Sequence, residues 1–253
     1  MKNRMIMILL TLVLILSGCS SKTSKNVIAE VPEASGICYS TSRDSLFVAN
    51  DEGSIYEITK KGKKVRKKKI GKYDLEGVAC DDENSLLYFA VEVKESILVV
   101  DMKSLKVIKE VKIDRAFDGK TVIKKDKEHG IEAITLINGD IYISNQSYKK
   151  YPNKDASIVF RVGSLKKKKT KIKEIINHGF VDVAGLSYHN GYLYMVSDKK
   201  DLFIKYDLAD KKVVKKRKLP KFAQEGITFD GDGYIYFADD EGRVLKYKSK
   251  KFL

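Results

Sequence analysis

Glutamate followed by a small residue recurs along this chain, as Glu76-Gly77, Glu132-Ala133 and Glu225-Gly226. Further acids stand at the ends of apolar runs, notably Asp51, Glu92, Asp198 and Asp240. Carboxylates brought together in a confined space repel one another, so they either take up protons or gather around a cation. Oxygen donors of this kind suit a hard cation, and Ca²⁺ takes about 6–8 of them. A local calcium loop is excluded. The run "DGDGYIYFADDE" begins with Asp230 and ends with Glu241, but Tyr234 and Ile235 stand where an EF-hand needs Asp or Asn and then Gly. The cysteines and the scattered His129, His178 and His189 offer no zinc or copper pattern and no Ser-His-Asp triad. If these acids meet, the fold must bring them together from distant parts of the chain.

A repeat supplies the means. The small residues Gly36, Gly77, Ala133, Gly185 and Gly226 recur at intervals of 41, 56, 52 and 41 residues, near the 40–45 of a common propeller class. The two longer intervals hold insertions at Arg115–His129 and Gln146–Ser157. Within each repeat, alternating runs such as "YIYFA" and "YLYMVS" read as half-buried strands. "NGD", "HNG" and "GDG" between them read as hairpin turns. No stretch has sustained helical periodicity. A small antiparallel sheet cannot hide both faces alone, and radial stacking solves that problem. The expected fold is therefore all-β, a five-bladed β-propeller of four-stranded antiparallel blades. Fourth strands are expected at "KKVRKKKIG", "LKVIKEVKI", "KTKIKEII" and "KKVVKKRKL". The last blade stops short and would be completed by the N-terminal strand Asn26–Val31.

The same alignment places the acids. First strands start at Ser35, Glu76, Glu132, Ala184 and Glu225, and second strands end at Asp51, Glu92, Gln146, Asp198 and Asp240, beside Asn50 and Asp239. Both sets fall on one face near the axis. The metal expectation is Ca²⁺ at Glu76, Glu132 and Glu225, with Asp51, Glu92, Asp198 and Asp240 as outer candidates. Alternatively, these residues cap turns and bind N–H groups between blades.

The chain opens with Lys2 and Arg4, an apolar run over Met5–Leu16, and "LSGC" ending at Cys19. About a dozen apolar residues are too few for a comfortable span, which takes roughly 20. "LSGC" is similar to a bacterial lipobox, which implies cleavage before Cys19 and its lipidation. Residues 1–18 are then a lipoprotein signal peptide, 19–25 the lipidated cysteine and a polar tether, and 26–253 the propeller. Export to the cell membrane follows, on the periplasmic side of the outer membrane in a Gram-negative cell. Cys38 and Cys80 lie in apolar strand patterns and are expected as buried free thiols, while an exporting compartment would also permit a disulfide between them. The formal charge is +15. The lysine runs 63–69, 166–173 and 211–218 map to outer strands, where lysine blunts an exposed edge. Attraction to anionic lipid or another envelope polymer is the functional reading; nucleic acid is not an expected partner of an exported lipoprotein.

The motifs "SGICYS…DSLFVANDEGSIYEI", "DLEGVA", "AGLSYHNGYLYMVSDK" and "QEGITFDGDGYIYFADDEG" resemble the SdiA-regulated family, also called YjiK-like or CarP-like, over roughly residues 30–249. The resemblance implies a five-bladed propeller in the envelope, a bound calcium ion and a role in calcium response without an established reaction. Ser35 and Ala184 depart from the glutamate pattern. A binding or scaffolding module with a protein partner is thus expected. The alternative is a calcium-dependent esterase or lactonase-like hydrolase with the metal in the channel.

Overall fold

The computed structural model describes residues 24–123 and 130–253. The signal segment, Cys19 and most of the tether lie outside the described residues. The described chain is built from antiparallel strands, with two single-turn 3₁₀ segments at Ser24–Asn26 and Ser249–Lys251.

After β1 (Val27–Glu30), the strands β2 (Ala34–Ser40), β3 (Ser45–Asn50), β4 (Ser54–Thr59) and β5 (Lys64–Lys69) form one up-and-down meander. The next comprises β6 (Leu75–Asp81), β7 (Leu86–Val91), β8 (Ser96–Asp101) and β9 (Val107–Asp114). A small hairpin, β10 (Ala116–Phe117) with β11 (Lys120–Thr121), occupies part of the first insertion. Then follow β12 (Ile131–Ile137), β13 (Asp140–Asn145), β14 (Ile158–Val162) and β15 (Lys169–Ile176). The last two runs are β16 (Val183–His189), β17 (Tyr192–Ser197), β18 (Leu202–Asp207) and β19 (Lys212–Lys218), then β20 (Gln224–Phe229), β21 (Tyr234–Asp239) and β22 (Arg243–Lys248). β1 pairs antiparallel with β22, Val27 opposite Leu245 and Glu30 opposite Arg243. The four expected outer strands form as β5, β9, β15 and β19.

Turn chemistry sets these hairpins. Asn138-Gly139 and Asn190-Gly191 all take positive φ, between 48° and 83°. A two-residue turn that matches the twist of its strands needs that backbone, and Asn and Gly adopt it at least cost.

The apolar residues sort into clusters, each shared by two meanders. Phe47 and Ile55 meet Phe89 and Leu98, while Ala90 and Ile97 meet Ile143 and Phe160. Val159 and Ile176 meet Met195 and Ile204, and Tyr194 and Phe203 meet Ile235 and Phe237. Finally Tyr236 and Val244 meet Leu46 and Val48. The last partnership joins the two ends of the chain, so the series closes on itself. Each fully buried Phe, Leu, Ile or Val contributes roughly 1.5–3 kcal/mol. The first strands β2, β6, β12, β16 and β20 touch their neighbours in a closed circuit. This is a propeller domain.

Two features depart from the sequence expectation. Cys38 and Cys80 form a disulfide with Cα atoms 5.8 Å apart; they are not free thiols. They lie on the adjacent first strands β2 and β6, which approach so closely that a Cβ added at Gly36 would sit 2.4 Å from the Glu76 carbonyl oxygen. The apolar pattern reports burial, whereas the pairing comes from ring adjacency. A bond closing a loop of 42 residues in separation restricts the unfolded chain, with an expected effect of about 4 kcal/mol. The double variant Cys38→Ser/Cys80→Ser should therefore show a lower urea midpoint than the oxidised parent. An unchanged midpoint would refute that contribution.

The second departure joins β9 and β15, which pair in parallel through Lys112–Asp114 and Lys169–Lys171. Lys169 meets Asp114 at 3.2 Å. Here a lysine-rich edge is neutralised and paired, not left open.

Candidate cation site at the axial mouth

Every first strand breaks register near its start. The shifts fall between Ala34 and Gly36, Leu75 and Val78, Ile131 and Ile134, Val183 and Gly185, and Gln224 and Gly226. Ser35, Glu76, Glu132, Ala184 and Glu225 lie within these bulges. A bulge re-aims its side chain and leaves the ladder locally unpaired. The small residue that follows lets neighbouring backbones touch. A Cβ on Gly77 would stand 2.8 Å from the Ala133 Cα, and one on Gly226 2.9 Å from the Ile37 nitrogen. The channel therefore narrows to a waist of about 10 Å³ lined by residues of all these first strands, Glu225 among them.

Glu132 is 5% exposed, and Glu76 and Glu225 are half-buried. All three carboxyls are raised well above the ordinary range. Burial is the main cause in each. Glu92, Asp74 and Glu225 add to it at Glu76; Glu76, Glu225 and Glu92 at Glu132; and Asp198, Asp240 and Asp182 at Glu225. The trio expected from the sequence thus shares one electrostatic neighbourhood.

A second set surrounds it. Asp51, Glu92, Asp198 and Asp240 each follow directly on a second strand. Three of them and Gln146 at the equivalent position are held alike: Asp51, Glu92, Gln146 and Asp240 donate N–H to the carbonyls of Glu33, Asp74, Gly130 and Ala223 at 2.8–3.4 Å. Burial, then Glu33 and Asp74, pushes Asp51 up to about 6, and its Oδ1 has no hydrogen-bond partner. Asp198 is raised by burial and Asp182, although it accepts the Gln224 side-chain amide at 3.0 Å. Asp240 is raised by burial and Glu33.

Sequence reasoning passed over Glu33, Asp74 and Asp182. Each lies two residues before a bulge position. Where the bulge holds Ser35 or Ala184 in place of glutamate, this earlier position holds Glu33 or Asp182. The offset stands in "DLEG", where the recurrence along the chain marks only the glutamate. Among the described residues, Asp74, Glu76 and Glu92 form a grouping in which each offers one oxygen and all three lie within 4.8 Å of one another. Ca–O bonds of roughly 2.3–2.6 Å let one ion span such a set. Glu132 and Glu225 act on Glu76 or are acted on by its charge from across the mouth. Oxygen-only donors held this close, with the Glu76 carboxyl raised by burial and then by its acidic neighbours, fit a hard divalent cation.

The opposite end of the channel differs. It opens into a cavity of about 230 Å³ lined by Tyr39, Tyr188, His189, Phe229 and the disulfide. His189 stacks on Phe229 there, ring centres 4.5 Å apart. His178, in the β15–β16 connection on the side of the acidic mouth, is 4% exposed, and burial pushes it down to about 4, so it stays neutral. The third-to-fourth-strand turns on this opposite face carry Lys61, Lys63, Lys103, Lys106, Lys166, Lys167, Lys168 and Lys211, all exposed. Lys250 and Lys251 after β22, and Lys25 before β1, join them.

Fold and site together define a β-propeller domain with an acidic mouth at one end and lysine-bearing turns at the other. The SdiA-regulated family model matches residues 14–243, and the chain belongs to the SdiA-regulated family. No curated protein matches it. Among solved structures, Myxococcus xanthus glutaminyl cyclase is similar at a TM-score of 0.55 and 14% identity, over 87% of this chain and 94% of that one. Kuenenia stuttgartiensis hydrazine synthase reaches a TM-score of 0.46 and 17% identity, over 88% of this chain and 58% of that one. At these identities the first likeness shows the fold alone, and the second carries no argument.

Proposed function

We propose that this chain is an exported, lipid-anchored, five-bladed calcium-binding propeller that presents its acidic mouth to an envelope partner. The observation that carries the reading is the Asp74–Glu76–Glu92 grouping on a protein of formal charge +15. Repelling carboxylates are costly unless something compensates them. Asp74, Glu76 and Glu92 would hold Ca²⁺, with Glu132 and Glu225 supplying further negative charge. The five-blade count is supported by the closed circuit of first strands and by β1 serving as the outer strand beside β22.

Anchoring through Cys19 lies outside the described residues and rests on the lipobox likeness. The Cys38–Cys80 bond suits an oxidising compartment. β1 starts toward the face of the lysine turns, since it runs antiparallel to β22, with Val27 opposite Leu245 in mid-strand and Glu30 opposite Arg243 at the start of β22. A tether leaving there turns the lysines toward an anionic membrane surface or another envelope polymer and the acidic mouth away from it. Each Lys near such a surface contributes about 1 kcal/mol.

Calcium should stabilise the folded protein by about 2.7 kcal/mol at a free concentration 100 times its Kd. Thermal melts in EDTA and in millimolar CaCl₂, repeated with Glu76→Gln, test this. The parent should melt higher in calcium, and the variant should lose that shift. A parent indifferent to millimolar calcium would remove the ion from the reading.

A further inference from the structure

Glu95 lies in the connection between β7 and β8, four residues beyond the end of β7. It is only 4% exposed, and neither carboxylate oxygen has a hydrogen-bond partner among the described residues. A buried carboxylate without partners is costly, and native structures rarely keep one without a reason. Its backbone is also unusual. Glu95 holds φ at +51° and Val93 at +57°, left-handed conformations that non-glycine residues seldom adopt.

The surroundings show what could meet it. A Cβ placed on Gly130 would lie 2.7 Å from Glu95 Oε1 and 3.4 Å from Glu92 Oε1. Glu92 Cγ lies 2.8 Å from the same point, so both acidic side chains press against the Gly130 backbone, and the absence of a Cβ there lets them come together. Asp155 adds negative charge. Arg115 acts on Glu95 by charge and lines the same cavity of about 790 Å³, yet no hydrogen bond or ion pair joins the two.

We infer that Glu95 and Glu92 hold a second divalent cation beside Gly130, with Glu92 shared between it and the axial ion. The inference rests on the axial reading only through that shared residue. Calcium is the expected class of ion because the side-chain donors are all carboxylate oxygens, and water from the neighbouring cavity can complete the shell.

The test counts ions per chain. Protein equilibrated with excess CaCl₂, then measured by metal analysis and calorimetric titration, should hold two calcium ions. Glu95→Gln should hold one and keep an axial affinity within about threefold of the parent. Gly130→Ala should lose the same ion, because its Cβ would push the Glu95 and Glu92 side chains apart, which separates ion loss from any change special to the Glu95 charge. If the parent holds one ion and Glu95→Gln leaves it unchanged, the second site is refuted and the axial site stands. If Glu95→Gln still holds two, the second site is likewise refuted. A parent that binds no calcium removes both sites.

Discussion

Deletion of Asn26–Val31 is expected to lower the melting temperature by more than about 10 °C, since 1 kcal/mol corresponds to roughly 2–4 °C in a domain of this size. β1 is the outer strand beside β22, and Val31 donates N–H to the Gly242 carbonyl at 2.9 Å. Val31 is 1% exposed and sits in the apolar cluster with Ile37, Leu46, Tyr236 and Val244. Ile28 and Ala29 pack against that cluster from its edge. Removing the strand discards one buried valine, worth roughly 1.5–3 kcal/mol. It also discards several sheet hydrogen bonds at about 1 kcal/mol each. The sum approaches the 5–15 kcal/mol that holds a whole domain together. β22 would then expose an edge carrying Leu245 and Tyr247, so aggregation should accompany the loss. A truncated protein that melts within about 2 °C of the parent would mean that β1 does not close the ring.

The strands, their turns and this closing segment were legible because the repeat imposes the same alternation each time. "HNG" and "NGD" specify hairpins locally, and an acid after a run such as "YLYMVS" marks a strand end. What could not be read depends on neighbours in the ring. Cys38 and Cys80 look alike as buried residues whether or not they face each other. The Lys169–Asp114 contact needs β15 to reach across to β9, which no local pattern announces. Glu76 was legible as a site residue because it recurs with its glycine. Asp74 was missed because one leucine separates it from Glu76, and strand alternation alone does not say that a bulge follows. Glu95 escaped notice because its position in the β7–β8 connection has no repeat behind it.

Metal-free protein should become less stable as pH rises from about 6.5 to 8, where a carboxylate held in salt bridges would be indifferent. In the folded state Glu95 titrates near 7, and Glu76, Glu132 and Glu225 are all raised well above their ordinary range, chiefly by burial. The unfolded chain releases these protons near pH 4.3. Across this window the folded state therefore binds more protons than the unfolded one, and the slope of stability against pH is negative. Each unit of displacement is worth about 1.4 kcal/mol. Opposing groups act elsewhere. Glu57, despite its burial, is held below its ordinary value by Arg43, Ser45 and Arg66, so its contribution is lost only in strong acid. Burial depresses His178 and His189, which therefore favour the unfolded state only as pH falls below about 6.5. Saturating calcium should reverse the trend, because an ion favours the ionised carboxylates that protons oppose. Melts in EDTA should thus fall between pH 6.5 and 8, while melts in calcium should stay level or rise. Glu76→Gln should melt higher than the parent in EDTA at pH 8, since it removes a carboxyl that must ionise beside other acids, while the Gln amide can still donate to Asp74. An EDTA profile that is flat or rises with pH would show that these carboxyls do not repel one another, and the case for a cation among them would fail with it.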